Sequence, residues 1–140
     1  MGSLGGGWLS GKYRRDQRPT GDTRLGAQGA FKIGLNEVQI GLPVPVLAME
    51  FARSRLTPAE LTRATLLAQI YTPDEAVRAG YLDRAVAPEE LLAAATAEAT
   101  RLGAMARSAF KATKLRLRGG TIADIKARME EDMRTLMNPA

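Results

Sequence analysis

One carboxylate, Glu37, lies within an otherwise apolar stretch of the chain, residues 31–43. Its apolar neighbours Ile33, Leu35, Val38 and Ile40 favour a partly dry setting for the side chain. Burying a carboxylate without a partner costs several kcal/mol, so such a placement calls for an explanation. A carboxylate in this setting is suited to general acid–base catalysis, and Glu37 is therefore the candidate catalytic residue.

The residue pattern also allows a purely structural role for Glu37. A carboxylate in a turn can accept a hydrogen bond from a nearby backbone amide. It can also pair with a basic side chain, and Arg53 and Arg55 follow in the sequence. Both alternatives stay open at this level.

The composition narrows the chemistry that the chain can perform. There is neither histidine nor cysteine. Catalytic triads built on histidine, thiol chemistry and most zinc sites are thereby excluded, and we expect no metal site. The lack of cysteine is compatible with a cytoplasmic location, which we expect.

Charge and hydropathy limit the partners. The net charge of +5 favours anionic molecules. Aromatic residues make up only 5% of the chain, too few for convincing base stacking, so we expect no nucleic acid. No apolar run approaches the roughly 20 residues of a membrane span, and the first residues lack the pattern of a secretory leader. We therefore expect no membrane partner.

The elements that position Glu37 follow from the spacing of apolar residues, glycine and proline. Residues 1–30 are rich in glycine and polar residues and are predicted to be loop or disorder. Residues 31–42 predict a short strand and turn, with a strand at about 31–40 that Pro43 and Pro45 close. The remainder reads as mostly α-helical. We divide the 140 residues into a glycine-rich, basic leader, residues 1–26, and one domain, residues 27–140.

Helix boundaries are marked by capping patterns. Thr57 and Thr72 each precede a proline, with a glutamate three residues after the threonine, which is typical of a helix start. Gly80 and Gly103 are placed to end helices. Gly119 and the adjacent Gly120 predict a break, after which Thr121 is expected to cap a last helix. The predicted helices are residues 45–53, 57–68, 72–80, 88–103, 104–118 and 121 onward, with a short strand at 82–86.

Two motifs resemble the crotonase family, the enoyl-CoA hydratases and isomerases. The first is FKIGLNEV followed by IGL, residues 31–42, which resembles the second active-site segment of that family. The second is YTPDEAVRAGYLDRAV, residues 71–86, which resembles its pattern of two acids and alanine followed by Gly-Leu-Val-Asp. Residues 52–56, ARSRL, are like the arginine-bearing helix end of the family. The resemblance covers about residues 23–140 and corresponds to the C-terminal half of a family member, which implies a truncated α/β crotonase-like fold.

The resemblance implies chemistry on acyl-CoA thioesters, with coenzyme A entering as part of the substrate and no other cofactor. Two backbone N–H groups of the family form an oxyanion hole, and one or two glutamates move protons. Glu37 matches the second glutamate, and substrate contacts are implied at Gly41 and Pro45. The first glutamate and both oxyanion donors belong to the other half of the family fold. We therefore expect a chain that is incomplete and inactive alone.

Position 45 departs from the pattern of many hydratases. Those enzymes carry a glycine a few residues after the glutamate, whose N–H helps to place the attacking water. Pro45 falls at about that position here, and proline has no N–H to donate. The resemblance therefore supports hydration less well than proton transfer.

The first 25 residues resemble a different family. Residues 4–16, LGGGWLSGKYRRD, look like a loop segment of the aldo/keto reductases. Together with the crotonase-like remainder, this suggests a chimera. The chain carries no reductase tyrosine and no barrel, so we expect no reductase activity.

Two further functions remain open. The chain is read either as a non-catalytic helical remnant that keeps the oligomerisation half of the fold, or as a small basic module that binds anions. The apolar positions of residues 104–138 are typical of a core-facing or subunit-contacting helix. By resemblance, we expect a homo-oligomer of the trimer type through these residues.

Overall fold

The computed structural model of the chain describes residues 23–137. Residues 1–22, which include most of the predicted leader and all of the reductase-like residues 4–16, lie outside the described residues. Within the described part, the chain forms five α-helices, four short strands and two short 3₁₀ helices. It divides into two compact units. The first unit comprises residues 23–34 and 69–104, and the second comprises residues 35–68 and 105–137.

The first unit contains all four strands. Strand β1 (Leu25–Ala27) pairs in parallel with β4 (Arg84–Val86), and β2 (Ile33–Gly34) pairs antiparallel with β3 (Ile70–Tyr71). Strand β1 lies within the stretch that the sequence predicted to be loop. It forms because its backbone pairs with a strand almost 60 residues away. Such a partner leaves no local signal. Strand β4 confirms the short strand predicted at residues 82–86.

Two helices complete the first unit. The first begins where the sequence places it, and the second begins three residues after its predicted start at residue 88. Helix α3 (Pro73–Ala79) starts with a capping box, in which the Thr72 hydroxyl accepts from the Glu75 amide and the Glu75 carboxylate accepts from the Thr72 amide. Gly80 ends it with a φ of 103°. A 3₁₀ turn (Pro88–Glu90) leads into α4 (Leu91–Gly103). The buried residues include Ala76 and Ala79 of α3, and the rings of Tyr71 and Tyr81 lie 5.4 Å apart.

The second unit is helical. It consists of a 3₁₀ helix (Glu37–Ile40), α1 (Val46–Arg53), α2 (Pro58–Thr65) and α5 (Arg107–Met137). The strand predicted at residues 31–40 is thus limited to Ile33–Gly34, since Asn36 and the left-handed Gly41 enclose a tight helical turn. Thr57 caps α2 as predicted, by accepting from the Glu60 amide. The buried apolar residues of this unit are Ala52, Leu56, Ala64, Ala68 and Ile125.

Helix α1 lies antiparallel along α5. The carboxylate of Asp132 accepts a hydrogen bond from the Val46 amide at 2.9 Å, and Arg128 pairs with Glu50 at 3.0 Å. The two contacts are four residues apart on each helix and run in opposite order. Asp132 thereby supplies the acceptor that the first turn of α1 lacks locally, because Pro45 at the N-cap has no side-chain acceptor.

The predicted break at Gly119 and Gly120 is wrong, because α5 is one continuous helix of 31 residues. A glycine ends a helix by adopting a left-handed conformation, and neither glycine has a positive φ. Ile125 is buried, and Asp132 and Arg128 contact α1, so tertiary contacts hold the following turns in helical form. Thr121 is an interior residue of α5 and caps nothing.

None of the described helices combines the length and the apolar character needed to cross a membrane.

Replacing Gly119 with alanine tests the continuity of α5. A side chain at this position meets no heavy atom within 4 Å, and alanine is favoured over glycine inside a helix by about 1 kcal/mol. We expect Gly119→Ala to raise the free energy of unfolding by about that amount, as measured by urea denaturation. Gly41→Ala is the control and should destabilise the chain, because Gly41 has a φ of 76°. A loss of stability in Gly119→Ala would indicate a left-handed break instead.

Candidate active-site turn

Glu37 is the first residue of the 3₁₀ helix in the second unit. Its carbonyl accepts a hydrogen bond from the Leu42 amide at 3.0 Å, and the Gln39 amide donates to the Asn36 carbonyl at 3.0 Å. Gly41 closes the turn in the left-handed region, where a side chain would be strained. These bonds fix the backbone that carries the Glu37 side chain.

A side-chain hydrogen bond ties this turn to a distant corner of the same unit. The amide nitrogen Nε2 of Gln39 donates to the carbonyl of Ala68 at 3.2 Å. Ala68 is 2% exposed and has a φ of 49°, which is uncommon for a residue other than glycine. Strained backbone of this kind persists only where the surroundings hold it, so the Gln39 contact is part of what fixes the corner.

One oxygen of the Glu37 carboxylate is buried without a hydrogen-bond partner among the described residues. The residue is half-buried, yet its atom Oε2 is fully buried and has no hydrogen-bond partner among the described residues. Most buried polar atoms are hydrogen-bonded, so an orphan of this kind is a candidate for a functional role. Arg53, one of the structural partners considered from sequence, instead lies 3.5 Å from the Glu50 carboxylate.

The apolar flanks of Glu37 shield it less than the sequence suggested. Val38 is 46% exposed and Ile40 is 56% exposed, whereas Ile33 and Leu35 are half-buried. In a 3₁₀ helix the side chains no longer alternate between two faces as they do in a strand. The expectation of a dry setting therefore holds for one oxygen of Glu37 rather than for the whole stretch.

The other two predicted site residues follow Glu37 closely in the sequence, and each has a structural role of its own. Gly41 ends the Glu37 turn and has open space on its Cβ side. Pro45 is the N-cap of α1, and its carbonyl accepts from the Met49 amide at 2.8 Å. Their contact with a substrate stays a prediction.

Sequence reasoning missed the residues that hold these segments in place. Gln39, Ala68 and Asp132 each act across at least 29 residues of chain, and none carries a motif. Ala68 gave no signal, because a left-handed residue is normally recognised as glycine or asparagine. Asp132 reads as one of several charged residues on the exposed face of a helix.

An ionic cluster adds to the contact between α1 and α5. Arg128 hydrogen-bonds to Asp124 on its own helix and to Glu50 on α1. These two carboxylates, Asp124 first, raise the pKa of Arg128 above its ordinary value. The Glu50 side chain is 16% exposed, so the cluster lies at the edge of the helix contact rather than in open solvent.

A separate open groove lies in the first unit. It has a volume of about 350 Å³ and lies between the start of the described chain and α4. Its lining residues are Thr23, Leu25, Asp83, Arg84, Ala94, Ala97, Glu98 and Arg101. The polar groups largely satisfy one another, since Glu98 accepts from Arg101 at 2.6 Å and from the Thr23 hydroxyl at 2.7 Å. Within residues 23–137, no group of three or more acidic side chains is arranged to hold a metal ion.

The hydrogen bonds to Glu98 predict a pH dependence of stability. Arg101 first, and then Thr23, lower the pKa of Glu98 from 4.5 to about 2. The carboxylate therefore contributes stability above pH 4.5 that is lost as the pH falls from there toward 2. We expect Glu98→Gln to flatten the decline in urea midpoint between pH 5 and pH 3.

The matched control for Glu98 is Glu131→Gln. This carboxylate also pairs with an arginine three residues on, but its side chain is 71% exposed. Exposed pairs of this kind contribute little. An equal effect of both substitutions would contradict a specific role of the Glu98 contacts.

The chain is similar to known proteins. The family described as enoyl-CoA hydratase/isomerase matches residues 20–138 of the chain. No curated protein matches it.

Several solved structures share the fold. An enoyl-CoA hydratase/isomerase family protein from Pseudomonas syringae is 40% identical with a TM-score of 0.77, over 82% of this chain and 50% of that one. An enoyl-CoA hydratase from Mycobacterium marinum is 34% identical with a TM-score of 0.76, over 83% and 51%. An enoyl-CoA isomerase from Mycobacterium tuberculosis is 33% identical with a TM-score of 0.75, over 81% and 50%. The chain therefore spans about half the length of these relatives.

Proposed function

Because the chain belongs to the enoyl-CoA hydratase/isomerase family, we propose that Glu37 serves as an acid/base on acyl-CoA thioesters. The observation that carries the proposal is the buried Oε2 of Glu37, which lacks a hydrogen-bond partner among the described residues. A proton acceptor needs an oxygen that is not already committed to a structural bond. Coenzyme A enters as part of the substrate, and the proposal requires no other cofactor.

Proton transfer fits this turn better than addition of water. In an isomerisation, Glu37 removes a proton from C2, next to the thioester carbonyl, and returns a proton at C4. The C2–H bond breaks, a C4–H bond forms, and the double bond moves from C3–C4 to C2–C3. Pro45 has no N–H with which to position a water molecule. The turn itself is rigid enough to hold the carboxylate, through Gln39 and Gly41.

The enolate formed in this step needs donors that Glu37 does not supply. By family resemblance, two backbone N–H groups bind the thioester oxygen, and they belong to segments other than the motifs found in this chain. Removing one such donor typically costs about 100- to 1,000-fold in rate. Glu37 therefore acts within a larger site. We place this chemistry in the cytoplasm, which the cysteine-free composition fits.

A chimeric enzyme tests the role of Glu37. Residues 23–140 would replace the matched half of the Mycobacterium tuberculosis isomerase, and conversion of a 3-enoyl-CoA to the 2-enoyl-CoA would be followed. We expect an active chimera in which Glu37→Gln lowers kcat by about 100- to 10,000-fold. The 140 residues alone should convert neither this substrate nor crotonyl-CoA above background.

Glu60→Gln is the matched control in the chimera. This glutamate is half-buried, as Glu37 is, but it pairs with Arg63 at 3.2 Å and lies on α2, outside the Glu37 turn, so its loss should leave kcat unchanged. A folded chimera that keeps its activity after Glu37→Gln would refute the acid/base role. Clear turnover by the 140 residues alone, abolished by Glu37→Gln, would show that no outside donors are needed.

A second function, self-association, is supported by the methionines of α5. Met129, Met133 and Met137 recur every four residues, and all three are largely exposed. Flexible methionine side chains adapt well to a partner surface, and exposed apolar patches often mark interfaces. We propose that residues 104–138 form a homo-oligomer contact, of the trimer type that the family resemblance implies.

Light scattering at micromolar concentration tests this contact. We expect a mass above that of the monomer, and a return to the monomer mass in Met129→Asp/Met133→Asp, because charges placed in an apolar contact lose their hydration. Leu92→Asp, on α4 of the first unit, is the control and should keep the oligomer. A monomer in the unsubstituted chain would contradict the proposal.

A further inference from the structure

Gln39 lies two residues after Glu37 in the same 3₁₀ turn. In such a helix three residues complete one turn, so side chains two positions apart leave the axis in directions about 120° apart. The Gln39 side chain can therefore bond elsewhere without taking up the Glu37 carboxylate. Its Nε2 donates to the carbonyl of Ala68 at 3.2 Å, while Oε2 of Glu37 stays buried and without a hydrogen-bond partner among residues 23–137.

The backbone hydrogen bonds of the Glu37 turn fix its shape but not its direction. The donors and acceptors of these bonds all fall within residues 36–42. Bonds that close within a turn do not set how the turn is directed relative to the rest of the unit. The Gln39 side chain reaches a residue 29 positions further along the chain and thereby ties the turn to a different segment of the second unit.

Ala68 offers a fixed acceptor for this bond. The residue is 2% exposed, and the amides of Leu66 and Leu67 just before it both donate to the Thr62 carbonyl, at 3.0 and 3.2 Å. Its φ of 49° lies in the left-handed region, which an alanine keeps only where surrounding contacts hold it. The bond can therefore act in two directions. It holds either the strained corner at Ala68 or the turn that carries Glu37.

We propose that Gln39 is a positioning residue for Glu37, whose hydrogen bond to the Ala68 carbonyl keeps the carboxylate in one orientation. The inference rests on the proposed function, because a carboxylate that moves a proton from C2 to C4 must reach both carbons from one position. A misplacement of about 1 Å can cost about 100-fold in rate. Gln39 acts through the turn and touches no reacting atom itself.

Gln39→Met in the chimeric enzyme tests the proposal, because methionine is close to glutamine in length and has no N–H to donate. We expect kcat to fall by about 100-fold with KM unchanged, since the bond acts on the reacting carboxylate and not on binding of the thioester. An unchanged kcat, or a change in KM alone, would overturn the proposal.

Gln69→Met is the matched control. Gln69 is also an exposed glutamine whose Nε2 donates to a backbone carbonyl, at 2.9 Å, but its acceptor is the adjacent Ile70. A bond to the next residue ties no separate segments together, so kcat and KM should both stay unchanged. Equal losses of kcat in the two variants would count against a specific role of Gln39.

A second substitution separates positioning from a purely structural role. Glycine adopts a positive φ without strain, so Ala68→Gly relieves the corner of its need for the Gln39 bond. In the double variant Gln39→Met/Ala68→Gly we expect the urea midpoint to recover while kcat stays low. Recovery of kcat together with the urea midpoint would show that the bond merely holds the corner, and would overturn the proposal.

The orientation of Glu37 can also be measured in the full chain of 140 residues. Three-bond NMR couplings across χ1 of Glu37 report whether its side chain keeps one staggered rotamer. We expect the couplings of a single rotamer in the unsubstituted chain and in Gln69→Met, and averaged couplings in Gln39→Met. Couplings that Gln39→Met leaves unchanged would contradict the positioning role.

Failure of this inference and failure of the proposed function give different results. A chimera that stays fully active after Glu37→Gln refutes the acid/base role, and the catalytic consequence of Gln39 falls with it. A chimera that requires Glu37 but keeps its kcat in Gln39→Met overturns the role of Gln39 alone.

Discussion

The antiparallel contact between α1 and α5 is the interaction on which the second unit depends. Helix α1 begins after Pro45 without a side-chain cap of its own, and the carboxylate of Asp132 takes that role from the far end of α5. Four residues on, Glu50 and Arg128 repeat the contact as an ion pair. A helix of eight residues is marginal in isolation, so α1 draws its stability from this contact rather than from its own sequence. The position of α1 in turn fixes where the chain leaves the Glu37 turn.

The Glu37 turn has a fixed backbone and a side-chain oxygen without a hydrogen-bond partner among the described residues. Backbone hydrogen bonds from the amides of Leu42, Gln39 and the left-handed Gly41 hold the turn. The side-chain atom Oε2 of Glu37 is buried and lacks a hydrogen-bond partner within the described residues. The Ala68 corner carries a strained φ of 49° to receive the Gln39 amide. This arrangement fits the proton transfer that is proposed for Glu37.

The two units differ in the kinds of side chain that their surfaces expose. In the first unit, charged side chains around the open groove bond to one another, as Glu98 does to Arg101 and Thr23. In the second unit, several leucine and methionine side chains are instead exposed to solvent. The chain spans about half the length of its solved relatives. Exposed apolar side chains of this kind often mark interfaces.

The sequence by itself determined the family, the mostly helical character of the chain after residue 45, and the helix ends at Thr57, Thr72 and Gly80. Thr57, Thr72 and Gly80 were predicted correctly because a cap is formed by residues within four positions of each other. Glu37 could be singled out as a candidate because its motif is contiguous, and its role stays a prediction. Only the tertiary structure decided that α5 runs unbroken through two glycines, that β1 pairs with β4, that Gln39 bonds to Ala68 and that Asp132 accepts from the start of α1. These features depend on contacts between residues tens of positions apart, whose free energy outweighs local propensity and leaves no pattern along the chain.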